Sequence, residues 1–600
     1  MSKKVKIGCA SGFWGDTDIA APQLVNKGNI NYLVFDYLAE VSMSILAGAK
    51  LKNSSHGYAK DFINHLGPLI KKIKEKNIKV ISNAGGVNLD ACRNALLEEA
   101  KKEAIDLKII ILEGDDLLHL EKDLRSSKIK DNDTNGLLPE NLLSMNAYLG
   151  APGIKAALKL GADIVITGRC VDSALVLGPL MYEFDWKVDD YDLLASGSLA
   201  GHIIECGAQC TGGNFTDWES VERFDNIGFP IIEVEKNGNF IVTKPKNTGG
   251  VVNFGTVAEQ FLYEIGNPSS YLLPDVICDF TNVSIKDKGN DVVSVKGAKG
   301  SRPSNFYKVS ATYQDGFKTV ATLVIGGPKA VKKAYSVGTS ILKRTQDIFA
   351  GQNFSSYKDI NVSVIGSEDI NDYDNFNGSN EVVLRIAARH EQKKALIILS
   401  REIAQAATGM APGIMNYLGG RPSISPSINL FSFMLDKKKV NCQIDFNTSL
   451  KSVEIATNDK LNIFSNTKYA NLGGDTSNYS FETRLINLAY ARSGDKGNHV
   501  NVGIIARKSE YFPYIKKSLT LEKISSFFKN CTEKSIVCWE LPKINGLNFL
   551  VKNCLGGGGM SSLFLDPQGK AYAQYILNAK IAISESIYSK IKKNNIKSIK

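Results

Sequence analysis

Five short apolar runs in the first 170 residues are each followed by a polar loop that contains glycine or an acidic residue. Each run has the length of a strand, is rich in valine and isoleucine, and lacks the polar alternation of a strand that has one face in water. Segments with the apolar spacing of helices separate the runs. The runs span residues 5–9, 32–36, 78–82, 107–113 and 162–167. This pattern predicts strand–loop–helix units that build a mostly parallel sheet.

Units of this kind form either an open, doubly wound sheet or a (β/α) barrel. Only five clear units are present before the pattern changes, so we favour the open sheet. After residue 185, alternating segments on both sides of Asn237 and Gly238 predict a β-hairpin, and a long helix is expected from Lys329. The expected class is therefore α/β, with a parallel block at 1–185 and an α+β lobe at 186–456.

The C-terminal part of the chain has a separate pattern. Residues 457–482 are polar with little periodicity, which predicts a linker. Strand-like and helical segments then alternate over residues 483–585, as expected for a small ferredoxin-like α+β domain. The lysine-rich residues 586–600 predict a basic tail.

Composition and charge exclude several classes of protein. Hydrophobic residues make up 43% and charged residues 22% of the chain, as in ordinary soluble proteins. The apolar stretches are far shorter than the roughly 20 residues of a membrane span, and the N-terminus enters the first strand without a signal-peptide core. The net charge is +10, but the lysines are dispersed and form no basic stripe with aromatic residues. We therefore expect a cytoplasmic homo-oligomer that binds neither nucleic acid nor membranes.

The ten cysteines are scattered, which fits a reducing compartment. On a helix, His202, Cys206 and Cys210 would face the same way and could hold a metal ion. No second Cys/His cluster completes the set, and Gly207 and Ala208 favour a closely packed helix end. We therefore assign no metal ligand to this segment.

The polar loops after the five runs are expected to meet at one edge of the sheet, where parallel α/β folds bind ligands. Their carboxylates could act as general acid and base or hold a divalent ion. Each alone could instead be a helix cap, and one of the adjacent pair Asp115 and Asp116 is expected to be one. The candidate catalytic residues are Asp16, Glu40, Asp115, Asp116 and Asp172. The candidate substrate-binding residues of the same loops are Gly12, Trp14, Asn83, Gly85, Gly86, Asn88 and Arg169.

The densest polar motif of the chain is ARSGDKGNHVNVG, at residues 491–503 between two predicted strands. It could bind substrate, or it could be an interface loop held by salt bridges. We favour substrate binding. The candidates from this motif are Arg492, Asp495, Lys496, Asn498 and His499.

These strings resemble a known family. GCASGFWGD, LVFDYLAE, SNAGGVN, EGDD and TGRCVDSAL are similar to the N-terminal region of the acyclic terpene utilisation family AtuA, and YARSGDKGNHVNVG and GGGGMSSLFLDPQGKA resemble its C-terminal ferredoxin-fold domain. The resemblance covers about residues 4 to 580. It implies a cytoplasmic protein linked to catabolism of citronellol- or geraniol-type terpenes, a pathway that runs through acyl-CoA thioesters. It supplies no catalytic set, so the candidates above come from the sequence itself.

The first functional hypothesis is an enzyme that acts on a branched acyl-CoA or its carboxylic acid by hydratase, lyase or hydrolase chemistry. Asp115 and Glu40 would be acid and base, and Asn83 and Arg169 would orient the substrate. The alternatives are a non-catalytic binding or assembly subunit of an acyl-CoA carboxylase-type system and a metal-dependent hydrolase. No biotinyl-lysine motif, nicotinamide fingerprint or G-x-S-x-G elbow is present. We assign no cofactor from the sequence. Acyl-CoA is expected as a substrate. The sequence contains no complete motif for binding a divalent metal ion, although the loop carboxylates could hold one.

Overall fold

The computed structural model describes residues 3–367, 379–416, 419–446, 449–453, 455, 469–528, 531–559 and 561–597. The described residues form two compact units. The first is built from the described parts of 1–312, 430–554 and 569–600, and the second from those of 313–429 and 555–568. Residues 457–468 of the predicted linker and 598–600 of the predicted tail lie outside the described part.

The five apolar runs form five parallel strands, as predicted. The strands of this block are β1 (Lys4–Cys9), β2 (Tyr32–Phe35), β3 (Lys79–Ser82), β4 (Ile109–Glu113), β5 (Leu142–Ala147) and β6 (Ile164–Thr167). The helices are α1 (Ala20–Lys27), α2 (Glu40–Lys52), α3 (Lys60–Leu66), α4 (Ile70–Glu75), α5 (Leu89–Lys102), α6 (Glu121–Ser126), α7 (Pro152–Lys159), α8 (Ala174–Glu183) and α9 (Tyr191–Ile204). The parallel strands lie in the order β1-β2-β3-β6-β4.

Helices cover both faces of this parallel sheet, which explains why its strands show no polar alternation. On one face, α1 to α5 pack in a single apolar cluster on side chains such as Leu33, Val80 and Ile109. On the other face, α7 contacts β4 and β6, and α8 contacts β1 and β2. The chain reverses direction along the sheet after β4, and the right-handed crossover rule then places the following helices on the opposite face.

Antiparallel strands extend the sheet beyond β1. The next elements are β7 (Ile231–Glu235), β8 (Phe240–Thr243), α10 (Phe254–Leu262), β9 (Tyr271–Leu272), β10 (Ile277–Asp279), β11 (Ser284–Asp287), β12 (Val293–Lys296) and β13 (Lys299–Ser301). The predicted hairpin at Asn237 and Gly238 joins β7 to β8 and is confirmed. Strands β9, β10 and β13 form a separate three-stranded sheet.

The second unit is built around antiparallel strands and the predicted long helix. Its elements are β14 (Phe306–Gly326), α11 (Ala330–Gly351), β15 (Asp359–Ile365), β16 (Glu381–His390), α12 (Lys393–Glu402), α13 (Ala406–Gly409), β17 (Ile414–Asn416) and β18 (Ile424–Asp436), with β14 counted from residue 313 and β18 to residue 429. The core of this unit includes Leu323, Ile341, Leu384 and Leu396, all buried.

Strands β19 (Gln443–Phe446) and β20 (Ser449–Ser452) form the other end of the large sheet, next to β4. Its 11 strands run in the order β11-β12-β8-β7-β1-β2-β3-β6-β4-β19-β20. Among the described residues, the end strand β11 pairs only with β12 and the end strand β20 only with β19. The sheet does not close on itself, so the preference for an open sheet over a barrel is confirmed.

The C-terminal part of the first unit is a small α+β domain, as expected. Its elements are β21 (Phe481–Arg484), β22 (Ala489–Lys496), β23 (His499–Ala506), α14 (Phe512–Ser518), α15 (Leu521–Ser525), β24 (Ile536–Leu541), β25 (Gly546–Val551), α16 (Tyr572–Ile576), β26 (Lys580–Ile583) and α17 (Glu585–Lys597). Strands β22-β23-β25-β24 form an antiparallel sheet. Within the described part of the chain, no helix combines the length and apolarity that a membrane crossing requires.

Candidate functional site

Three carboxylates from different elements meet at the carboxyl edge of the parallel sheet. Asp36 directly follows β2, Asp172 lies in the loop after β6, and Glu205 is the residue at which α9 ends. One carboxylate oxygen of each lies within 4.8 Å of the other two. The loops of the sheet edge therefore converge as expected, although only Asp172 was among the candidates.

Burial and mutual repulsion change the acidity of this cluster. Burial is the largest cause that raises the pKa of Asp36 and of Glu205 well above the usual range, and the neighbouring carboxylate of Asp172 raises both further. A carboxyl group with a raised pKa can keep its proton at neutral pH and act as a general acid.

The protonation of Glu205 also follows from its hydrogen bond with His202. Burial lowers the pKa of His202 to about 4, so the imidazole is neutral at pH 7. Its Nε2 lies 3.3 Å from the Phe261 carbonyl oxygen and its Nδ1 lies 3.1 Å from Glu205 Oε1. A carbonyl oxygen only accepts, so Nε2 carries the ring proton and Nδ1 is an acceptor. Glu205 must then donate its own proton to Nδ1.

The other two carboxylates are held by side chains that the sequence did identify. Asn83 Nδ2 donates to Asp36 Oδ1 at 2.7 Å, while Asn83 Oδ1 accepts from the Tyr37 backbone N–H at 2.8 Å. Arg169 Nη1 donates to Asp172 Oδ1 at 2.7 Å. Asn83 and Arg169 thus fix the positions of two acidic groups.

A cavity of about 240 Å³ lies beside this cluster. Asp172, Glu205 and His202 form part of its wall, together with two lysines. The remaining lining is largely apolar or aromatic and includes Tyr148, Val171, Tyr271, Leu272, Leu273, Pro274, Phe306 and Met434. The cavity therefore combines acid–base groups with an apolar wall, which is the usual composition of a small-molecule site.

The first cavity lysine, Lys308, is neutralised by Glu40. Its Nζ lies 3.4 Å from Glu40 Oε1 and 4.7 Å from the centre of the Tyr148 ring. Burial would raise the pKa of Glu40, but the charges of Lys308 and Arg169 and the hydrogen bond from the Tyr148 hydroxyl lower it to about 2. Glu40 is therefore an ionised carboxylate whose partners lie on the cavity wall.

The second cavity lysine, Lys496, comes from the C-terminal domain. It is the last residue of β22, and its Nζ lies 5.3 Å from the centre of the Tyr271 ring. The positive charge of Lys496 acts on the carboxyl group of Glu264. Burial raises the pKa of Glu264, and Lys496 lowers it. Glu264 has a φ of 58°, in the left-handed region that a side chain disfavours. Strain of this kind tends to occur at functional sites.

Asp115 and Asp116 occupy different environments. Asp115 is buried and its Oδ2 accepts from the Arg169 backbone N–H at 2.7 Å and from Asn146 Nδ2 at 2.9 Å. Burial raises the pKa of Asp115 to about 7. Asp115 therefore supports the loop that carries Arg169. Asp116 is exposed and accepts from the Leu118 backbone N–H at 3.0 Å, which is a capping contact.

The loop after β1 shapes the site from below. Asp16 accepts backbone N–H groups of Gly12 at 2.9 Å and Thr17 at 2.8 Å. A Cβ on Gly12 would lie 2.7 Å from the Cys206 carbonyl carbon, so only glycine permits this approach. Trp14 packs against the apolar cluster under the sheet. The loop thereby holds the segment that contains Glu205.

The loop after β3 packs closely in the same way. A Cβ on Gly85 would lie 2.8 Å from the Thr167 carbonyl oxygen, and Gly86 has a φ of 56°. Asn88 Nδ2 donates to the Ser54 carbonyl oxygen at 2.8 Å. These contacts hold the loop in place around Asn83.

Arg492 and Asp495 lie on the docking face of the C-terminal domain. The guanidinium of Arg492 forms a buried ion pair with Glu259 of α10, with 3.0 Å between Nη2 and Oε2. Burial raises the pKa of Asp495 to about 7, and the charges of Glu264 and Glu40 contribute. Arg492 therefore fixes the hairpin that carries Lys496.

Asn498 and His499 complete the tip of this hairpin. The Asn498 carbonyl oxygen accepts from the Cys554 backbone N–H at 3.0 Å, and His499 Nδ1 accepts from the Asn553 backbone N–H at 3.0 Å. His499 Nε2 lies 3.6 Å from Asp133 Oδ1. Burial lowers the pKa of His499.

Sequence reasoning missed several residues of this site. Asp36 is the last residue of the second apolar run and was not among the candidate residues. An acidic residue at the end of a buried strand is itself an indication of a polar site at the sheet edge. Glu205 stands beside Cys206 in a segment that was tested only for a Cys/His metal site. Among the described residues, no group of potential metal ligands includes those cysteines. The other missed residues are Tyr148, Glu264, Tyr271 and Lys308.

Comparison with known proteins agrees with this architecture. The family description "acyclic terpene utilisation family protein AtuA" matches residues 5–446, and the "AtuA ferredoxin-like domain" matches residues 483–582. No curated protein and no solved structure matches the chain. The first match alone covers more than half of the 600 residues, and both domains occur in the expected order. The chain therefore belongs to the acyclic terpene utilisation family AtuA.

Proposed function

We propose that this chain is an enzyme of acyclic terpene utilisation, that the cavity beside Asp172 and Glu205 is its active site, and that its substrate is a branched carboxylic acid or the corresponding acyl-CoA. One observation carries the proposal: three carboxylates from separate elements converge within 4.8 Å, and two of them, Asp172 and Glu205, line a cavity that also presents two lysines. Bringing carboxylates together in a buried place costs folding free energy and shifts their pKa values, and such arrangements are concentrated at acid–base sites.

The arrangement supports proton-transfer chemistry. Glu205 holds a proton that it shares with His202, and it is the proposed general acid. Asp172 lies on the same wall, forms an ion pair with Arg169 and is the proposed base. Hydration, elimination and hydrolysis all require one group that gives a proton and a second that takes one, and Glu205 and Asp172 lie close enough together to act as that pair.

The cavity also favours an acyl group as the bound part of the substrate. Its volume of about 240 Å³ is below the roughly 300–1,000 Å³ of sites for drug-sized ligands. A branched acyl chain would contact the apolar wall that Leu273, Phe306 and Met434 provide. The coenzyme A portion of a thioester would remain outside this cavity.

A metal-dependent hydrolase is the second candidate, and the same three carboxylates favour it. Oxygen atoms of Asp36, Asp172 and Glu205 form a ligand set of the type that Mg²⁺, Mn²⁺ and Ca²⁺ prefer. A bound divalent ion would supply Lewis acidity and activate water. In that case the ion replaces the proton of Glu205, and Asn83 and Arg169 keep the carboxylates in place.

The experiment is a turnover assay of purified protein with branched, terpenoid and straight-chain acids and their CoA thioesters, with and without divalent ions. Glu205→Gln should reduce kcat by about 10²- to 10⁴-fold, the usual contribution of a positioned acid or base. Glu219→Gln changes an exposed carboxylate and should leave kcat unaltered. Normal kcat in Glu205→Gln would exclude the assignment.

Metal analysis separates the two candidates. A stoichiometric divalent ion, with turnover lost in chelator and restored by that ion, selects the metal-dependent hydrolase. Full turnover in chelator selects metal-free acid–base catalysis. Binding of an acyl compound with no turnover under any condition would instead support a non-catalytic binding subunit.

A further inference from the structure

The tip of the β22–β23 hairpin carries Lys496 to the wall of the cavity. Gly497 and Asn498 are the two turn residues, and Gly497 has a φ of 64°, as a two-residue hairpin turn requires. Lys496 is paired with His499 across the ladder, so it is the last side chain before the turn. A tight turn of this kind holds its neighbouring side chains in place better than a long loop would.

The hairpin is fixed against α10 and the residues that follow it. A Cβ on Gly494 would lie 2.3 Å from the Tyr263 ring, so the strand lies directly on that side chain. Asn501 and Asn548 both donate to the Ile265 carbonyl oxygen, at 2.8 and 2.9 Å. Buried amide contacts of this kind fix the domain's orientation and thereby the position of Lys496.

Lys496 differs in its partners from Lys308, the other lysine of the cavity, and from Arg169, which lies behind Asp172 and does not line the cavity. Arg169 pairs with Asp172 at 2.7 Å, and Lys308 pairs with Glu40 at 3.4 Å. Among the residues that the structure describes, no carboxylate oxygen lies within 4.0 Å of Lys496 Nζ. Its ammonium group lies over the Tyr271 ring and at the cavity wall. Its charge acts on the buried carboxyl groups of Glu264 and Glu205 without a direct ion pair, so the ammonium group can form a direct contact with an anionic ligand at the cavity wall.

We propose that Lys496 binds the free carboxylate of the substrate, and that the ferredoxin-like domain is for this reason part of the active site. This inference rests on the proposed function and adds the substrate class, an acid with an unesterified carboxylate. The carboxylate would lie between Lys496 and the apolar wall, with the acyl chain along Leu273 and Phe306. Glu205, the proposed proton donor, would then face the acyl chain rather than the carboxylate.

The test measures binding by full-length protein, with geranate and 3-methylbutyrate as probes and their neutral amides as matched ligands. Wild type should bind each acid at least tenfold more tightly than its amide. Lys496→Met should raise the Kd of the acids by about 10- to 100-fold, the usual effect of losing a charge-assisted hydrogen bond, and leave the amides unchanged. Lys496→Arg should retain most of the preference for the acid.

Lys508→Met is the control, because Lys508 is exposed in the same domain and lies outside the cavity lining. An unchanged Kd for the acids in Lys496→Met would overturn the proposal, as would a wild type that shows no preference for acid over amide or binds neither. The outcome is separate from that of the turnover assay. If acid binding depends on Lys496 but the protein shows no turnover, Lys496 is the carboxylate-binding residue and the chain is not an enzyme for these acids. If the protein turns over an acid and Lys496→Met leaves its Kd unchanged, the chain is an enzyme and Lys496 does not bind the carboxylate.

Discussion

Replacing Arg492 with Met should destabilise the first unit strongly, because it leaves a buried charge without its partner. The Arg492 side chain is 4% exposed and the Glu259 side chain is 0% exposed. The guanidinium also donates to Gln260 Oε1 at 2.9 Å and to the Gly213 carbonyl oxygen at 3.0 Å. All of these acceptors lose their donor in the variant.

The magnitude follows from this burial. Breaking a buried ion pair by removing one member costs about 3–5 kcal/mol of unfolding free energy, since the remaining charge is uncompensated. Burial already raises the pKa of Glu259 in the wild type, and Arg492 opposes that shift. Without Arg492 the folded-state pKa of Glu259 rises further above the unfolded value of about 4.3. A raised folded-state pKa means stability that is present at low pH and lost as pH increases, so the deficit should grow between pH 5 and pH 8.

The assay is urea unfolding of wild type, Arg492→Met and the double variant Arg492→Met/Glu259→Gln at several pH values. In the double variant, the substituted amide side chain keeps an oxygen for the Thr216 backbone N–H, which in the wild type lies 3.1 Å from Glu259 Oε1, and it carries no charge. The double variant should recover at least about 1 kcal/mol at pH 8 and show no growth of the deficit with pH. Arg223→Met is the control, because its ion pair with Asp225 is mostly exposed and is worth about 0–1 kcal/mol.

Two results would contradict this prediction. One is an Arg492→Met variant within about 1 kcal/mol of wild type at pH 8. The other is a double variant no more stable than the single one, which would mean that the unpaired charge of Glu259 is not the source of the loss.

Two further predictions concern the loops of the site. Gly12→Ala should reduce the free energy of unfolding by about 1–3 kcal/mol, because the new methyl group overlaps the Cys206 backbone. The control Gly48→Ala on α2 places its methyl group in open space and should be neutral or stabilising by up to about 1 kcal/mol. Equal thermal midpoints for the two variants would contradict this prediction. The folded-state pKa of Asp115, about 7, lies above its unfolded value, so its contribution to stability is present below about pH 4 and lost as pH rises through 7. Asp115→Asn should therefore lose less stability than wild type between pH 5 and pH 8 in urea titrations, and parallel pH profiles would contradict the assigned pKa.

The parallel sheet could be predicted because burial on both faces leaves a local record in the sequence. Each of the five runs became a strand, since a continuous run of valine and isoleucine bounded by glycine has few other stable conformations. The hairpin at Asn237 and Gly238 is encoded equally locally. The order of strands is not local, and the reversal that places β6 between β3 and β4 depends on how the helices pack.

The candidate site was predicted in outline but not in its membership. Asn83, Arg169 and Asp172 could be identified because they lie in the short loops that follow strands β3 and β6. Glu205 lies at the far end of a helix, and it reaches the sheet edge only because Gly12 lets two backbones approach closely. Contacts of that kind join distant parts of the chain and leave no periodic pattern.

The sequence also could not predict which charged side chains form ion pairs. Arg492 and Lys496 are four residues apart in one motif. Arg492 forms a buried ion pair with Glu259, whereas Lys496 lines the cavity. Both side chains lie on the same face of β22, but Arg492 packs against α10 whereas Lys496 is the last residue before the turn. A motif rich in charge can thus combine an interface residue with a ligand-binding residue.

A crystal structure of Glu205→Gln with the carboxylic acid that binds most tightly would show whether this cavity is the active site. We expect the acyl chain to lie along Leu273 and Phe306, with the carboxylate within hydrogen-bond distance of Lys496 Nζ and the reacting carbons next to residue 205. A ligand bound elsewhere, with this cavity filled only by water, would exclude the proposed site.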